Sequence, residues 1–523
     1  MKYTAIHSSE WLYPDPWTYQ SASSRISLNA PRASYATVQI LLEGMGNDAA
    51  VTVKSSGNLG DLPLEVYELI PVHVEKNVFL KKGKVVNGCP SRWAPFDIYD
   101  ALKPPEAETT LNPVNGTAAL YIAFTTPRGC TPGKRGGTVD ITCGGEKISV
   151  PAEVMVHKAE IPPEEHLKIV NGYESRITAK YHGVEPDSPE CRRLDNAYLN
   201  MLRRLHQNTL YSSGIMKTRD TEGRYTFDFT GLERFIENAI RLGYKYFILP
   251  SIGWRKSWRK STILLGGENL PAMSYEGHVY LTQYLSALRA FLAKKDWFNC
   301  TFQNVADEPN KHNAIEYRAL CGTIRKLAPE LRLLEAVSYP VFGALDVWIP
   351  LNSDYEKHRE AYETFRAEGD KLWHYVCCQP RRDGYINRFM DYPLLATRYL
   401  FWGNYKYGLS GYLHWASNGY QPGQDPFKQN CPKHTNTDSS IILPAGDTHI
   451  LYPGKDAPWS SMRFEAQRNS IEDFELLRML SLKDKAKADA ICAKCFRKFN
   501  DVEYNLAALD KALAELYTAV SEL

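Results

Sequence analysis

Asp307 and Glu308 are consecutive carboxylates, followed by Pro309, at the end of the run CTFQNVADEP. Two carboxyl groups held at one place can divide acid–base work. The charge of one makes the proton of the other harder to lose, and that proton can then be handed to a leaving oxygen. Neighbouring side chains in a strand face opposite ways. Both acids therefore reach one site only where a strand ends and the chain turns. Pro309 supplies such a turn, because it cannot continue a ladder and keeps residue 308 out of the right-handed helical region. The same pair also suits a solvated loop tip at a helix N-terminus, so the elements around it matter.

From about residue 165 the sequence alternates strand and helix patterns. Strands are predicted at LKIVNG, NTLYSS, YKYFILPS, CTFQNVAD, LRLLEAVS, DVWIP, LWHYVCC and GYLHWAS. Between them, LERFIENAIRLG aligns Leu232, Phe235, Ile236 and Ala239, and YLTQYLSALRAFLA aligns Leu281, Leu285, Leu288 and Leu292. Eight such strands favour a (β/α)8 TIM barrel over residues 165–425, and catalytic groups then sit at the C-terminal strand ends. Asp307 and Glu308 end the fourth.

Residues 1–160 read as an N-terminal β-sandwich of short β-branched runs such as YATVQILLEG and AALYIAFTTP, punctuated by GNLGDLP and NPVNG. WLYPDPW and RWAPFDIYDALKPP look too proline-rich for central strands and are expected to be loops leaning on the next domain. AEIPPEEH is the linker. Residues 426–523 form a loop and helical region expected to pack on the barrel. Phe464, Ile471, Phe474 and Leu477 fit one buried face, and Leu506, Leu509, Leu513, Leu516 and Val520 another. Arg463, Glu465, Arg468 and Asp473 are expected to pair along a helix.

The 32 Tyr and 11 Trp suit a protein that stacks sugar rings, although aromatics also fill cores. A net charge of +2 offers no field for nucleic acid. No run is long enough to cross a membrane, and the N-terminus lacks the apolar core of a signal peptide. A cytoplasmic location is expected unless a leader has been removed. The 11 Cys have no framework spacing, which fits free thiols, and Cys492 and Cys495 lack a second pair for zinc. No glycine-rich nucleotide fingerprint or H-E-x-x-H is present, so no cofactor or metal is expected. Oligomeric state is open.

A nucleophile and an acid acting across a sugar stand about 5 to 5.5 Å apart in retaining glycosidases, which is awkward for adjacent residues. Adjacent acids better suit substrate assistance, in which the sugar's own 2-acetamido group attacks the anomeric carbon. Asp307 would then orient that group and Glu308 would serve as general acid/base, with its proton retained by the neighbouring charge. Other candidates come from strand ends. Asn208 would close the second strand, Tyr339 the fifth and Trp348 the sixth. Tyr375, alternating with His374, would bind the acetamido carbonyl. Trp415 would floor the sugar, with His414 and Asn418 beside it. Trp254, Arg255, Trp258 and Arg259 form an aromatic-basic loop that would meet an acidic glycan or cover the barrel.

VADEP, GYLHWASNGY with DPF after it, GDTHILYPG and SMRFEAQRNSIEDFELLRML occur in an order that resembles glycoside hydrolase family 123 and the related barrel proteins of domain of unknown function 4091. WAPFDIYDAL resembles the preceding domain of that family. The resemblance covers roughly residues 165–485. It implies retaining β-N-acetylgalactosaminidase chemistry through an oxazoline, on an oligosaccharide or glycoconjugate, with the acidic pair at Asp307 and Glu308. His414 stands where relatives often have tyrosine, which implies altered specificity. Other readings remain open: a retaining glycosidase on a sugar without a 2-acetamido group, with Glu335 or Asp346 as nucleophile; a non-catalytic carbohydrate-binding barrel; and a metal hydrolase, for which His206, His312, His358, His374 and His414 are scattered. The acids do not choose between N-acetylgalactosamine and N-acetylglucosamine.

Overall fold

The computed structural model describes residues 1–46, 49–105, 110–258, 260–434 and 441–523. It is a mixed α/β chain with a β-rich N-terminal region and a helical C-terminus. No described helix is long and apolar enough to cross a membrane.

Among the described residues the N-terminal region builds two sheets, one of seven strands, in which five N-terminal strands are joined by Pro458–Ser461 and Tyr452–Pro453, and one of five. Val38, Ile40, Leu42, Ile122 and Phe124 of the first share a core with Val139, Ile141, Val150 and Val154 of the second. The central strand Thr117–Thr126 is apolar on both faces. Its opposite face, Ala119, Tyr121 and Ala123, packs with Met390, Leu394, Tyr452 and Met462 from later in the chain. Both faces are covered, so the strand reads as an unbroken apolar run rather than an alternating one.

One expectation is overturned here. Phe96–Lys103 is a strand inside the seven-stranded sheet, paired with Leu64–Val74 on one side and Pro458–Ser461 on the other. Its prolines, Pro95 and Pro104, lie just outside it, where no ladder bond is lost. WLYPDPW does lean on the rest of the chain: Trp11 Nε1 donates to the Tyr392 carbonyl at 2.7 Å.

All eight predicted strand positions carry strands, and they run parallel. Thr209–Tyr211, Tyr246–Leu249, Thr301–Asn304, Leu333–Val337, Val347–Pro350 and Lys371–Leu372 form one sheet. Lys168–Asn171, Gly411–His414 and His374–Tyr375 form another. A parallel bridge from Leu351 to Tyr375 links them at one side. At the other, side-chain amides replace ladder bonds: Ile169 N–H donates to Asn208 Oδ1 at 3.1 Å and Asn171 N–H to Gln207 Oε1 at 2.9 Å. Both sheets contribute alternate residues to one inner core, including Val170, Ile248, Phe302, Leu334, Ile349, Trp373 and Leu413. The intervening residues face the helices, whose apolar stripes meet them. Thr230–Arg241 buries Leu232, Ile236 and Ala239. Tyr275–Lys295 buries Leu281, Leu285, Leu288 and Leu292, and starts where Gly277 N–H donates to Ser274 Oγ.

Helix Met462–Ser481 is buried all round through Leu477, not on one face. Its charges therefore need partners in the interior. Arg468 pairs with Glu465 and Glu472 on the same helix. Arg463 instead reaches Asp100 in the N-terminal sheet, and Asp473 takes a two-pronged bond from Arg398. The terminal helix Leu506–Ser521 buries Leu506, Leu509, Leu513, Leu516 and Val520 against the same layer.

Candidate active site

Asp307 and Glu308 follow the fourth parallel strand, Thr301–Asn304, at its C-terminal end. Glu308 has φ +45°. A non-glycine residue in this left-handed region is uncommon and costs on the order of 1–3 kcal/mol, and such strain concentrates at functional sites. It breaks the strand's alternation, so two successive carboxylates need not point to opposite faces. Pro309 thus keeps Glu308 out of the right-handed region by way of a left-handed residue rather than an extended one.

Three contacts hold this turn. The Arg255 guanidinium donates through Nη2 to the carbonyls of both Asp307 and Glu308, the latter at 3.1 Å. Tyr375 Oη donates to Glu308 Oε1 at 2.5 Å. Behind the turn, Glu335 is fully buried and faces the helix layer. Its Oε1 accepts from Asn304 Nδ2 at 2.6 Å, and its Oε2 accepts from the Val305 and Ala306 N–H groups at 3.1 and 2.8 Å. The ladder with Leu333–Val337 stops at Asn304, so this carboxylate satisfies donors that the ended strand leaves over.

The electrostatics follow from these placements. Solvent reaches Asp307 on its open side, while dense protein encloses its other sides, and that density governs its ionisation. Loss of water, then the charge of Glu308, raises it to about 7, with the Arg255 guanidinium opposing. Burial, then the charge of Asp307, raises Glu335 to about 8. Such groups share their protons, so the set titrates as a unit. Tyr211, at the end of the second strand, is pushed up by burial and by Asp307, Glu335 and Glu308. Asp354, in the helix after the sixth strand, is raised to about 6, chiefly by burial.

At the last strand, Gly172 and Trp415 pass so closely that a Cβ on Gly172 would meet the Trp415 carbonyl at 2.0 Å. Half-exposed Trp415 donates through Nε1 to Asp447 Oδ2 at 3.2 Å. Burial raises Asp447 to about 7 against the pull of Arg388. His414 is buried behind Trp415. Its Nδ1 accepts from Ala416 N–H at 3.2 Å, and its Nε2 makes an unaligned contact of 3.3 Å with Asp447 Oδ1. Burial holds His414 well below the usual histidine range, so it is neutral.

Several sequence candidates lie elsewhere. Asn208 precedes the second strand rather than closing it and sits at the opposite pole, where it is buried and donates to the Leu167 carbonyl at 2.8 Å. Trp348 is buried on the helix side, stacked on Phe365 at 4.5 Å, with Nε1 donating to Asp370 at 2.7 Å. Asn418 is buried and spent on Glu174 and Thr178. Asp346 also belongs to the far pole, accepting from Leu333 N–H and Arg325. Neither it nor the back-facing Glu335 is placed as a nucleophile. Tyr375 reaches the acids, but its donor goes to Glu308 rather than standing free for an acetamido carbonyl. Tyr339 is 38% exposed beside His358, and Trp254 is 41% exposed on the loop carrying Arg255. Arg259 lies outside the described residues.

Tyr211 and Asp447 are the site neighbours that sequence reasoning did not place there, while Arg255 and Glu335 are there in other roles than those expected, Arg255 binding the carbonyls of the acids and Glu335 holding the end of the strand. Tyr211 was within its reach, since it ends a predicted strand. A cavity of about 320 Å³ lies away from this chemistry, between the N-terminal sheets and the C-terminal helices. Charged groups on its wall are already paired, Arg398 with Asp473 and His7 with Asp510.

The glycoside hydrolase 123 catalytic-domain model matches residues 173–480. Among solved structures, a family 123 glycoside hydrolase from Clostridium perfringens, studied for glycolipid glycan hydrolysis, has a TM-score of 0.75 at 15% identity. The alignment covers 100% of this chain and 97% of that one, a likeness of fold. A GH10 xylanase with a bacterial Ig-like domain from termite gut has a TM-score of 0.33 at 14% identity, over 70% of this chain and 91% of that one. A β-glucuronidase from Parabacteroides merdae reaches 0.31 at 10%, over 87% and 52%. These two carry no argument. No curated protein matches the chain. With a catalytic-domain match that takes in the acidic pair and the strands presenting it, this chain belongs to glycoside hydrolase family 123 and is a glycosidase.

Proposed function

We propose that the protein is a retaining β-N-acetylhexosaminidase that uses substrate-assisted catalysis. The observation that carries this reading is the left-handed turn at Glu308, which lets two consecutive carboxylates serve one open face. Neighbouring acids on one strand end are poorly placed to attack a sugar from one side and protonate from the other. They are well placed to serve a nucleophile that the substrate brings.

On this reading the 2-acetamido oxygen attacks the anomeric carbon as the glycosidic bond breaks. Glu308 gives its proton to the leaving oxygen, and the ring closes to an oxazoline. Asp307 accepts the amide N–H and stabilises the positive charge that grows there. In the free site Asp307 keeps a proton, because the protein packed around its inner sides disfavours its charge. An amide N–H donated to Asp307 favours its ionised form, so binding moves the proton toward Glu308. Water activated by Glu308 then opens the oxazoline with net retention. Tyr375 fixes the rotamer of Glu308, Trp415 serves as a sugar platform braced by Asp447, and Trp254 and Tyr339 lie on the rim. His414 acts through its support of Trp415.

The same reading takes the two parallel sheets as one (β/α)8 barrel over residues 165–425, preceded by a β-sandwich (1–160) and followed by the C-terminal region (426–523). A panel of α- and β-linked aryl glycosides, with proton NMR following the first anomer released, tests the function. Hydrolysis of β-N-acetylhexosaminides with the β-anomer appearing first is expected. Activity confined to sugars lacking the acetamido group, or the α-anomer appearing first, overturns it.

A further inference from the structure

The loop after the third strand runs alongside the catalytic segment. Ile252 N–H donates to the Asn304 carbonyl at 3.3 Å and Gly253 N–H to the Val305 carbonyl at 2.8 Å. Arg255 then grips the carbonyls of Asp307 and Glu308, and Asn310 Nδ2 donates to the Trp258 carbonyl at 2.8 Å. Residues 252–258 are thus fastened at four points to residues 304–310. The loop cannot drift from the acids without breaking those bonds.

Its outward side chains are unusual for a surface. Trp254 is 41% and Trp258 47% exposed, although large aromatic faces normally find cover. Lys256 and Lys260 are exposed between and after them, and Lys311 is exposed on the catalytic loop itself. None of these three lysines has an ion-pair partner among the described residues. Two flat rings and three unpaired cations are therefore presented beside the acid pair, on the rim rather than among the strands.

We propose that Trp254, Lys256, Trp258 and Lys260 form a leaving-side subsite for a saccharide carrying an anionic group, a sulfate ester or a carboxylate. The rings would cover the apolar C–H face of the sugar, and the ammonium groups would meet its charge without need of a fixed fork geometry. Tight fastening means that little loop order is lost on binding. The subsite rests on the proposed function for its place on the leaving side, but its affinity can be measured without turnover.

The test is calorimetric binding of three disaccharides that lack an N-acetylhexosamine to the full-length protein. One carries a 6-sulfate, one ends in a hexuronate, and one is neutral. At low salt the anionic ligands should bind about tenfold more tightly than the neutral one, as expected for two exposed charge contacts. The preference should vanish near about 1 M salt, where the Debye length is ~3 Å. The K256S/K260S double variant should lose the charge preference, and Trp258→Ala should weaken all three ligands. Preference for only one anionic ligand assigns the source of the charge. Equal affinity for charged and neutral ligands, or a preference that K256S/K260S retains, overturns the subsite. Charge-selective binding by a protein that cleaves no N-acetylhexosaminide would keep the subsite and reject the proposed sugar.

Discussion

The phenolic oxygen of Tyr375 stands 2.5 Å from Oε1 of Glu308, so a residue of the seventh strand position orients an acid that follows the fourth. The two lie 67 positions apart in the chain and meet because both belong to C-terminal strand ends. Tyr375→Phe removes this one donor and leaves the ring in its inner core. A hydrogen bond to a charged group contributes about 1.5–3 kcal/mol, so kcat/KM should fall about ten- to hundredfold. Steady-state kinetics beside a thermal melt check this, and the melting temperature should change little.

Asp307→Asn and Glu308→Gln should each lower kcat on N-acetyl substrates by about 10²- to 10⁴-fold, the usual range for acid–base groups. They should differ in dependence on the leaving group. Glu308→Gln should lose least with activated aryl groups that need little protonation, whereas Asp307→Asn should lose similarly across the series. A plot of log kcat against leaving-group acidity separates the two roles.

The raised carboxylates also predict how activity and stability vary with pH. The proton that Asp307 keeps in the free site leaves near pH 7, so kcat/KM should decline above that pH, and Glu308→Gln, which cannot pass that proton to the leaving oxygen, should remove this limb. For stability, Asp307 has its folded-state value raised from 3.8 to about 7. Between these values the folded chain keeps a proton that the unfolded chain has lost. The stabilisation is complete below about 3.8 and disappears as pH rises through 7. Asp307→Asn cannot lose this proton. Its melting temperature should therefore gain on the wild type as pH goes from 5 to 8, by melts in matched buffers. A gap that stays constant would mean that Asp307 is already ionised throughout.

Much of this was legible in the sequence, and the misses have physical causes. The eight strand positions were readable because parallel strands covered on both faces are concentrated apolar runs between amphipathic helices. The acids were readable because Asp-Glu-Pro ends such a run. Asn208 and Trp348 were misplaced because a strand's ends and faces depend on register. A shift of one residue turns a side chain from the inner core to the helix layer, and Asn208 proved to begin its strand. Helix Met462–Ser481 carries so many charges that one buried face was the natural reading. Partners far away in sequence, among them Asp100, Arg398, His166, Arg204 and His206, allow it to be buried all round. Arg255 and Glu335 were in view as a glycan-facing cation and a nucleophile candidate, but their actual partners are mainly backbone groups of residues 305–308, which leave no pattern in side-chain spacing.

Asn208 gives a contrasting outcome. Its amide replaces ladder bonds at the pole away from the acids. Asn208→Ala should cost about 1–3 kcal/mol of stability by leaving buried backbone groups unpaired. The kcat/KM of the folded fraction should be unchanged. Chemical denaturation with activity measured well below the transition checks both.

The central claim is that the substrate's acetamido group acts as the nucleophile, with Asp307 and Glu308 attending it. The most direct measurement is inhibition by an N-acetylhexosamine-derived thiazoline, a stable mimic of the bicyclic intermediate. The account predicts competitive inhibition far tighter than the binding of N-acetylhexosamine itself, and weakened in Asp307→Asn. Robust hydrolysis of β-N-acetylhexosaminides with no inhibition by the thiazoline would contradict it.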